Sequence, residues 1–104
     1  METPVIEKIT LEDGSKYEGD LLNGIPHGKG KQIFPNGDIY EGDFSNDKFH
    51  GKGKYTSANG DIYEGDFVDD QFHGKGKMTY IDGKIVEGNW KDGKYLGKYG
   101  KSTG

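Results

Sequence analysis

Three histidines, His27, His50 and His73, recur every 23 residues, and each precedes a glycine. Imidazoles ligate metals, so a shared zinc is the first chemistry to weigh. If hairpins separate them, equivalent positions lie two strands apart, roughly 9–10 Å at about 4.8 Å per strand. Ligands about 2.0–2.1 Å from one zinc must lie much closer together. The spacing predicts structural imidazoles that cap loops by hydrogen bonding, with no metal bound. The acid pairs Glu41/Asp43 and Glu64/Asp66 suggest a glycosidase or a cation site. On strands flanked by lysines, they read instead as a solvated ion-pair ladder. Gly100-Lys101-Ser102 mimics the end of a phosphate loop, but Tyr95 stands where that loop needs glycine. No cofactor is expected. Every polar position repeats, whereas a catalytic site is normally unique, so the chain reads as no enzyme.

Two further groups of residues can bind rather than react. Lys29, Lys31, Lys52, Lys54, Lys75 and Lys77 form paired rows that could meet anionic lipid head groups. A basic cluster near a membrane contributes about 1 kcal/mol per charge. Glu18/Asp20, Glu41/Asp43 and Glu64/Asp66 share that face, so lipid binding is expected to be weak and lost in salt. The second group is aromatic: Tyr17, Tyr40, Phe44, Tyr63, Phe67 and Trp90, with Tyr55 beside them. Exposed contiguous apolar surface commonly marks a partner site.

Both groups are positioned by a repeat. Asp38 to Lys54 reads DIYEGDFSNDKFHGKGK, and Asp61 to Lys77 reads DIYEGDFVDDQFHGKGK. They differ only at Ser45/Val68, Asn46/Asp69 and Lys48/Gln71. The frame extends to Tyr17-Glu18-Gly19-Asp20 upstream and Val86-Glu87-Gly88-Asn89-Trp90 downstream. Self-similarity at a fixed period decides architecture before any local pattern does.

Composition agrees with an array. The chain has 104 residues, 30% hydrophobic and 12% aromatic, with 19 glycines. That is little apolar material for a layered core, yet too aromatic for simple disorder. Repeats ease the demand, because each unit buries itself against its neighbours. Net charge is −4 with the signs interleaved, and arginine is absent. Nucleic-acid binding, which favours a clustered basic face, is disfavoured. The absence of cysteine removes disulfides and thiolate chemistry and points mildly to an intracellular setting. No secretory signal or membrane-length apolar run is evident.

Alternation supplies the elements. Val5–Leu11 reads as a strand. Asp13-Gly14, Asn36-Gly37, Asn59-Gly60 and Asp82-Gly83 predict two-residue type I′ turns. Strands follow at Lys16–Leu21, Ile39–Phe44, Ile62–Phe67 and Ile85–Trp90, then polar loops such as Ser45 to Phe49. Second strands are expected over Gly28–Ile33, Gly51–Thr56 and Gly74–Thr79. Period two puts Tyr40, Gly42 and Phe44 on one face, and Ile39, Glu41 and Asp43 on the other. Glycine weakens strands, so its place between aromatics needs a cause. Room for a ring lying flat over the neighbouring backbone is that cause.

Tyr-Glu-Gly-x-aromatic, a short loop, then His-Gly-x-Gly at a period of 23 resembles the MORN repeat (membrane occupation and recognition nexus) over about residues 13–100. The resemblance implies an all-β fold, an elongated single-layer antiparallel sheet of stacked hairpins. The chain is read as one domain, 1–104. It has a cap strand at about 5–12, repeats at about 13–35, 36–58 and 59–81, and a partial repeat at about 82–100. Leu21 and Val86 depart from the pattern, and the last unit reads Leu96-Gly97-Lys98-Tyr99. Asp47 and Asp70 occupy a loop position held elsewhere by Gly24 and Gly93, where a left-handed conformation is expected. The resemblance implies a cytoplasmic scaffold, cytoskeletal, ciliary or at the inner face of a membrane. The rivals are a phosphoinositide-binding module and a regulatory part of a separate enzyme. A helix or extended segment in an aromatic groove is the expected partner mode. Sheet edges at Val5–Leu11 and near Tyr99 offer self-association.

Overall fold

The computed structural model describes residues 7–97. Val5 and Ile6 of the first expected strand, positions 98–100 of the last unit, the Tyr99 edge and Gly100-Lys101-Ser102 lie outside the described residues. Within them, nine strands form one antiparallel meander in sequence order. They are β1 (Glu7–Thr10), β2 (Lys16–Leu22), β3 (Ile25–Ile33), β4 (Ile39–Ser45), β5 (Lys48–Thr56), β6 (Ile62–Val68), β7 (Gln71–Thr79), β8 (Ile85–Lys91) and β9 (Lys94–Gly97). The second strand of each hairpin starts three residues before the expected glycine, so Phe49 and Phe72 belong to strands, not loops.

Two kinds of turn alternate, and their places are the reverse of expectation. Asn46 and Asp47 have φ of 50° and 69°, and Asp69 and Asp70 have 48° and 72°. Two successive left-handed residues are the mark of type I′. At the other end, Gly14 has φ 93° while Asp13 is not left-handed. Gly14 N–H donates to the Leu11 carbonyl at 3.0 Å, and Leu11 N–H to that of Ser15 at 2.8 Å. This is a type I turn closed by a left-handed glycine. The Asn36 side chain supports the equivalent turn by accepting the Asp38 N–H at 2.9 Å.

A seam of glycines crosses the middle of the sheet: Gly19, Gly30, Gly42, Gly53, Gly65, Gly76 and Gly88 are successive register partners. A Cβ on Gly53 would fall inside the Tyr40 ring, and one on Gly76 inside the Tyr63 ring. The rings lie on the backbone, as the sequence suggested. The seam is also a crease. Tyr40 and Phe44 are four apart on one strand, about 13 Å if it were flat. Their ring centroids are 5.0 Å apart. The described sheet measures 50 × 28 × 27 Å, far deeper than one flat layer. It is a trough, with the aromatic residues inside the bend.

A bulge beside the crease explains the His-Gly-Lys sequence. Gly42 pairs with Gly53 and Phe44 with Phe49, leaving Asp43 opposite His50-Gly51-Lys52. Gly51 takes φ 91°, and the Asp43 carboxylate accepts the Lys52 N–H at 3.0 Å in place of a ladder bond. Asp20 and Asp66 do the same for Lys29 and Lys75, each at 3.2 Å.

Candidate partner-binding groove

Edge-to-face rings run the length of the trough: Tyr17–Phe44, Phe44–Tyr40, Tyr40–Phe67, Phe67–Tyr63 and Tyr63–Trp90, at 5.0 to 5.4 Å. Each such pair contributes about 0.5–1.5 kcal/mol beyond area burial. Tyr40 hydroxyl donates to the Asp43 carbonyl at 2.7 Å, and Trp90 Nε1 to that of Gly76 at 3.0 Å. Burial pushes the Tyr17 phenol up to about 12, with Asp20 adding to the shift.

These residues were expected to remain open to a partner. Instead, Tyr17, Tyr40, Phe44, Tyr63, Phe67 and Trp90 are buried, with Tyr40 at 0% exposure. The crease supplies the covering layer that a flat sheet lacks. Phe49 stacks on Tyr40 at 3.9 Å and 10°, and Phe72 on Tyr63 at 3.9 Å and 14°. The expected docking centre is therefore core. Phe49 and Phe72 were missed as site residues, although they recur in register.

Above that core a groove of about 890 Å³ opens between the two ends of the hairpins. Phe34, Phe49, Tyr55, Phe67 and Phe72 supply the rings of its lining, with Leu11, Ile25 and Pro26 beside them. Tyr55 and Phe67 are thus the two expected residues that line it. Phe34 meets Phe49 at 5.9 Å and Tyr55 at 6.1 Å. Glu12, Asp13, Asp47 and Asp70 add carboxylates from both rims.

Hydrogen bonds tie each rim from hairpin to hairpin. Asp38 accepts the Tyr55 hydroxyl at 2.6 Å and the Ala58 N–H at 2.8 Å, which hold its carboxyl below the usual range. Asp61 accepts the Ile81 N–H at 2.9 Å. On the type I′ rim, Asp47 N–H donates to the Pro26 carbonyl at 2.9 Å, and Asp70 N–H to that of Phe49 at 3.0 Å. Phe49 N–H returns a bond to the Asp70 carboxylate at 2.8 Å.

The convex face differs. Lys8, Lys31, Lys54 and Lys77 alternate in register with Glu18, Glu41, Glu64 and Glu87. Lys29 pairs with Asp43 and Lys52 with Asp66, each at 2.5 Å. Burial opposes ionisation of Asp43, but Lys29 and the Lys52 N–H hold it below its usual value. Lys29, Lys31, Lys52, Lys54 and Lys77 of the candidate lipid lysines lie in these rows, and Lys75 stands opposite Asn89 in register. His27 Nδ1 accepts the Asn46 N–H at 3.3 Å, a loop-capping contact. Among the described residues no group of three or more His, Asp or Glu could hold a metal ion.

The MORN repeat model matches residues 17–39, 40–62, 63–85 and 87–98. The chain belongs to the MORN-repeat family. Such repeats form modules often involved in membrane or protein binding. A comparison with curated proteins finds no match. Among the described residues no helix is long and apolar enough to cross a membrane.

Proposed function

We propose that this MORN-repeat chain is a non-enzymatic adaptor that holds a segment of a protein partner in its concave groove. The groove supports this best: the half-buried rings of Phe34, Tyr55 and Phe72 line it above a buried core to which Phe49 and Phe67 belong. Partner contact falls to Leu11, Phe34, Tyr55 and Phe72, and the buried Tyr/Phe/Trp row, with Phe49, holds the groove's shape. A helix or an extended strand fits such a trough. A cytoplasmic scaffold, at the cytoskeleton, a cilium or the inner face of a membrane, suits an adaptor of this kind. The rival, a phosphoinositide module, would use the convex lysines, whose neighbours in register are carboxylates. β1 and β9 each pair on one side only among the described residues, which leaves edge-to-edge self-association open.

Affinity capture from native extract tests the groove. Leu11→Ser with Phe34→Ser should remove the captured protein, while circular dichroism shows an intact sheet. Capture at wild-type strength by the folded variant rejects the groove. Cosedimentation with phosphoinositide vesicles that persists in physiological salt makes the membrane the target instead.

A further inference from the structure

The groove is not uniform along its length. In the second unit its covering layer is Phe49 and Tyr55, whose ring centroids are 5.9 Å apart. At the first unit the equivalent positions are Pro26 and Gln32, both lining the groove. A prolyl ring and an amide replace two aromatic rings there, with Ile25 beside them.

The same exchange changes the rim. Asp70 is bonded by the Phe49 N–H at 2.8 Å. Asp47 stands 23 residues earlier and meets Pro26, which has no N–H to give. Among the described residues no donor reaches the Asp47 carboxylate. Burial raises the Asp47 pKa, and the charges of Asp70 and, from the opposite rim, Asp13 add to the shift. An unpaired carboxylate in a partly desolvated, like-charged setting favours an incoming cation. The groove lining holds Glu12, Asp13, Asp47 and Asp70 and, among the described residues, no lysine, so its end beside Pro26 is negatively charged.

We infer that the groove takes a protein segment that sets a Lys or Arg side chain beside Pro26, between Asp47 on one rim and Glu12 and Asp13 on the other, with apolar residues following over Tyr55 and Phe72. This rests on the proposed groove function and gives its partner a charge and a direction. The basic group supplies the donors that Pro26 cannot, and the flanking apolar residues meet the ring-lined portion. Electrostatic complementarity of this kind sets register and speeds encounter.

Selection of a random peptide library against the whole chain tests it with a defined probe. Selected peptides should carry Lys or Arg next to aromatic or aliphatic residues. Their affinity should fall about tenfold against Asp47→Asn, as for loss of one partly desolvated charge pair. It should also fall as pH drops and Asp47 takes a proton. Asparagine suits a left-handed position, as Asn23 and Asn46 show, so this variant keeps the turn. Asp69→Asn, one residue from Asp70, is the charge control and should leave binding unchanged. Peptides lost on Leu11→Ser with Phe34→Ser, but without basic enrichment or indifferent to Asp47→Asn, overturn the inference and leave the groove. Peptides indifferent to Leu11→Ser with Phe34→Ser, or no binders at all, remove the groove function and the inference together.

Discussion

Tyr40 and Lys52 come from one repeat unit, and their surroundings differ in kind. Tyr40 is fully buried, lies on Gly53, and touches Phe44, Phe49 and Phe67. The Lys52 side chain is 76% exposed and reaches Asp66 at 2.5 Å. Both positions repeat with equal regularity, so repetition alone does not tell structural weight. The concave contacts exclude water and cannot be replaced by it. The convex contacts replace water with a counter-charge at high dielectric, where the exchange is nearly even. Mutations should separate the two faces sharply.

The largest effect should come from the core. Phe67→Ala removes a ring that meets Tyr40, Tyr63 and Phe72. A loss of about 3–5 kcal/mol is expected. Thermal unfolding followed by circular dichroism should show a sheet that is unfolded or melts far lower. A small shift would mean that the trough is looser than its ring contacts imply.

Next stands the seam. Gly53→Val improves strand propensity but sets its side chain inside the Tyr40 ring. Overpacking of this kind costs about 1–3 kcal/mol, sometimes more. An unchanged or raised midpoint would refute ring-on-glycine packing. Gly42→Val adds a second burden, since φ there is 154° and its Cβ would meet the Lys52 carbonyl.

The seam also marks what a sequence can and cannot show. Tyr40, Gly42 and Phe44 share a face by simple alternation, and ring-over-glycine packing follows from it. The crease does not follow, because period two gives faces of a flat strand and says nothing of bending. Seven glycines in one register line are needed to see it, and register is a relation between strands. So the rings read as a docking surface although they are core. Phe49 was hidden for a related reason: flanked by Lys48 and His50, it looked like loop. Its recurrence as Phe72 was the available signal. The turns misled through local rules. Asn36-Gly37 has the type I′ dipeptide, but an Asx turn adds a residue. Asn46-Asp47 lacks glycine yet takes the I′ form, held by the Pro26 carbonyl of the preceding hairpin. The state of Asp47 becomes legible only once Asp70 is known to bond the Phe49 N–H.

A rim residue should fall between the faces. Asp38→Ala deprives the Tyr55 hydroxyl and the Ala58 N–H of their acceptor. On a partly exposed rim, a loss of about 1 kcal/mol is expected. Its pH dependence has a fixed sign. The Asp38 pKa is lowered on folding, chiefly by the Tyr55 hydroxyl and then the Ala58 N–H. Its contribution is present above the unfolded value near 3.9 and lost as pH falls through the lower folded value. Wild type and variant should therefore differ at neutral pH and converge in acid. A difference that persists or grows in acid would show that the bonds do not depend on the charge.

The smallest effect belongs to the convex ladder. Lys52→Gln removes the ammonium beside Asp66 and keeps much of the stem. An exposed pair contributes about 0.2–1 kcal/mol, and many contribute nothing measurable. For a domain of this size 1 kcal/mol moves the midpoint by roughly 4–8 °C, so a shift of only a few degrees is expected. Salt should shrink it further, since exposed charges are largely screened near 1 M, where the Debye length is about 3 Å. Lys54→Gln should behave alike, because Glu41 and Glu64 flank it in register without enclosing it. Were either variant to lose as much as Gly53→Val, and to lose it in high salt too, the ladder would be holding the sheet in its own right. The alternating charge rows would then be a second structural layer, and the contrast between the faces would be one of chemistry alone.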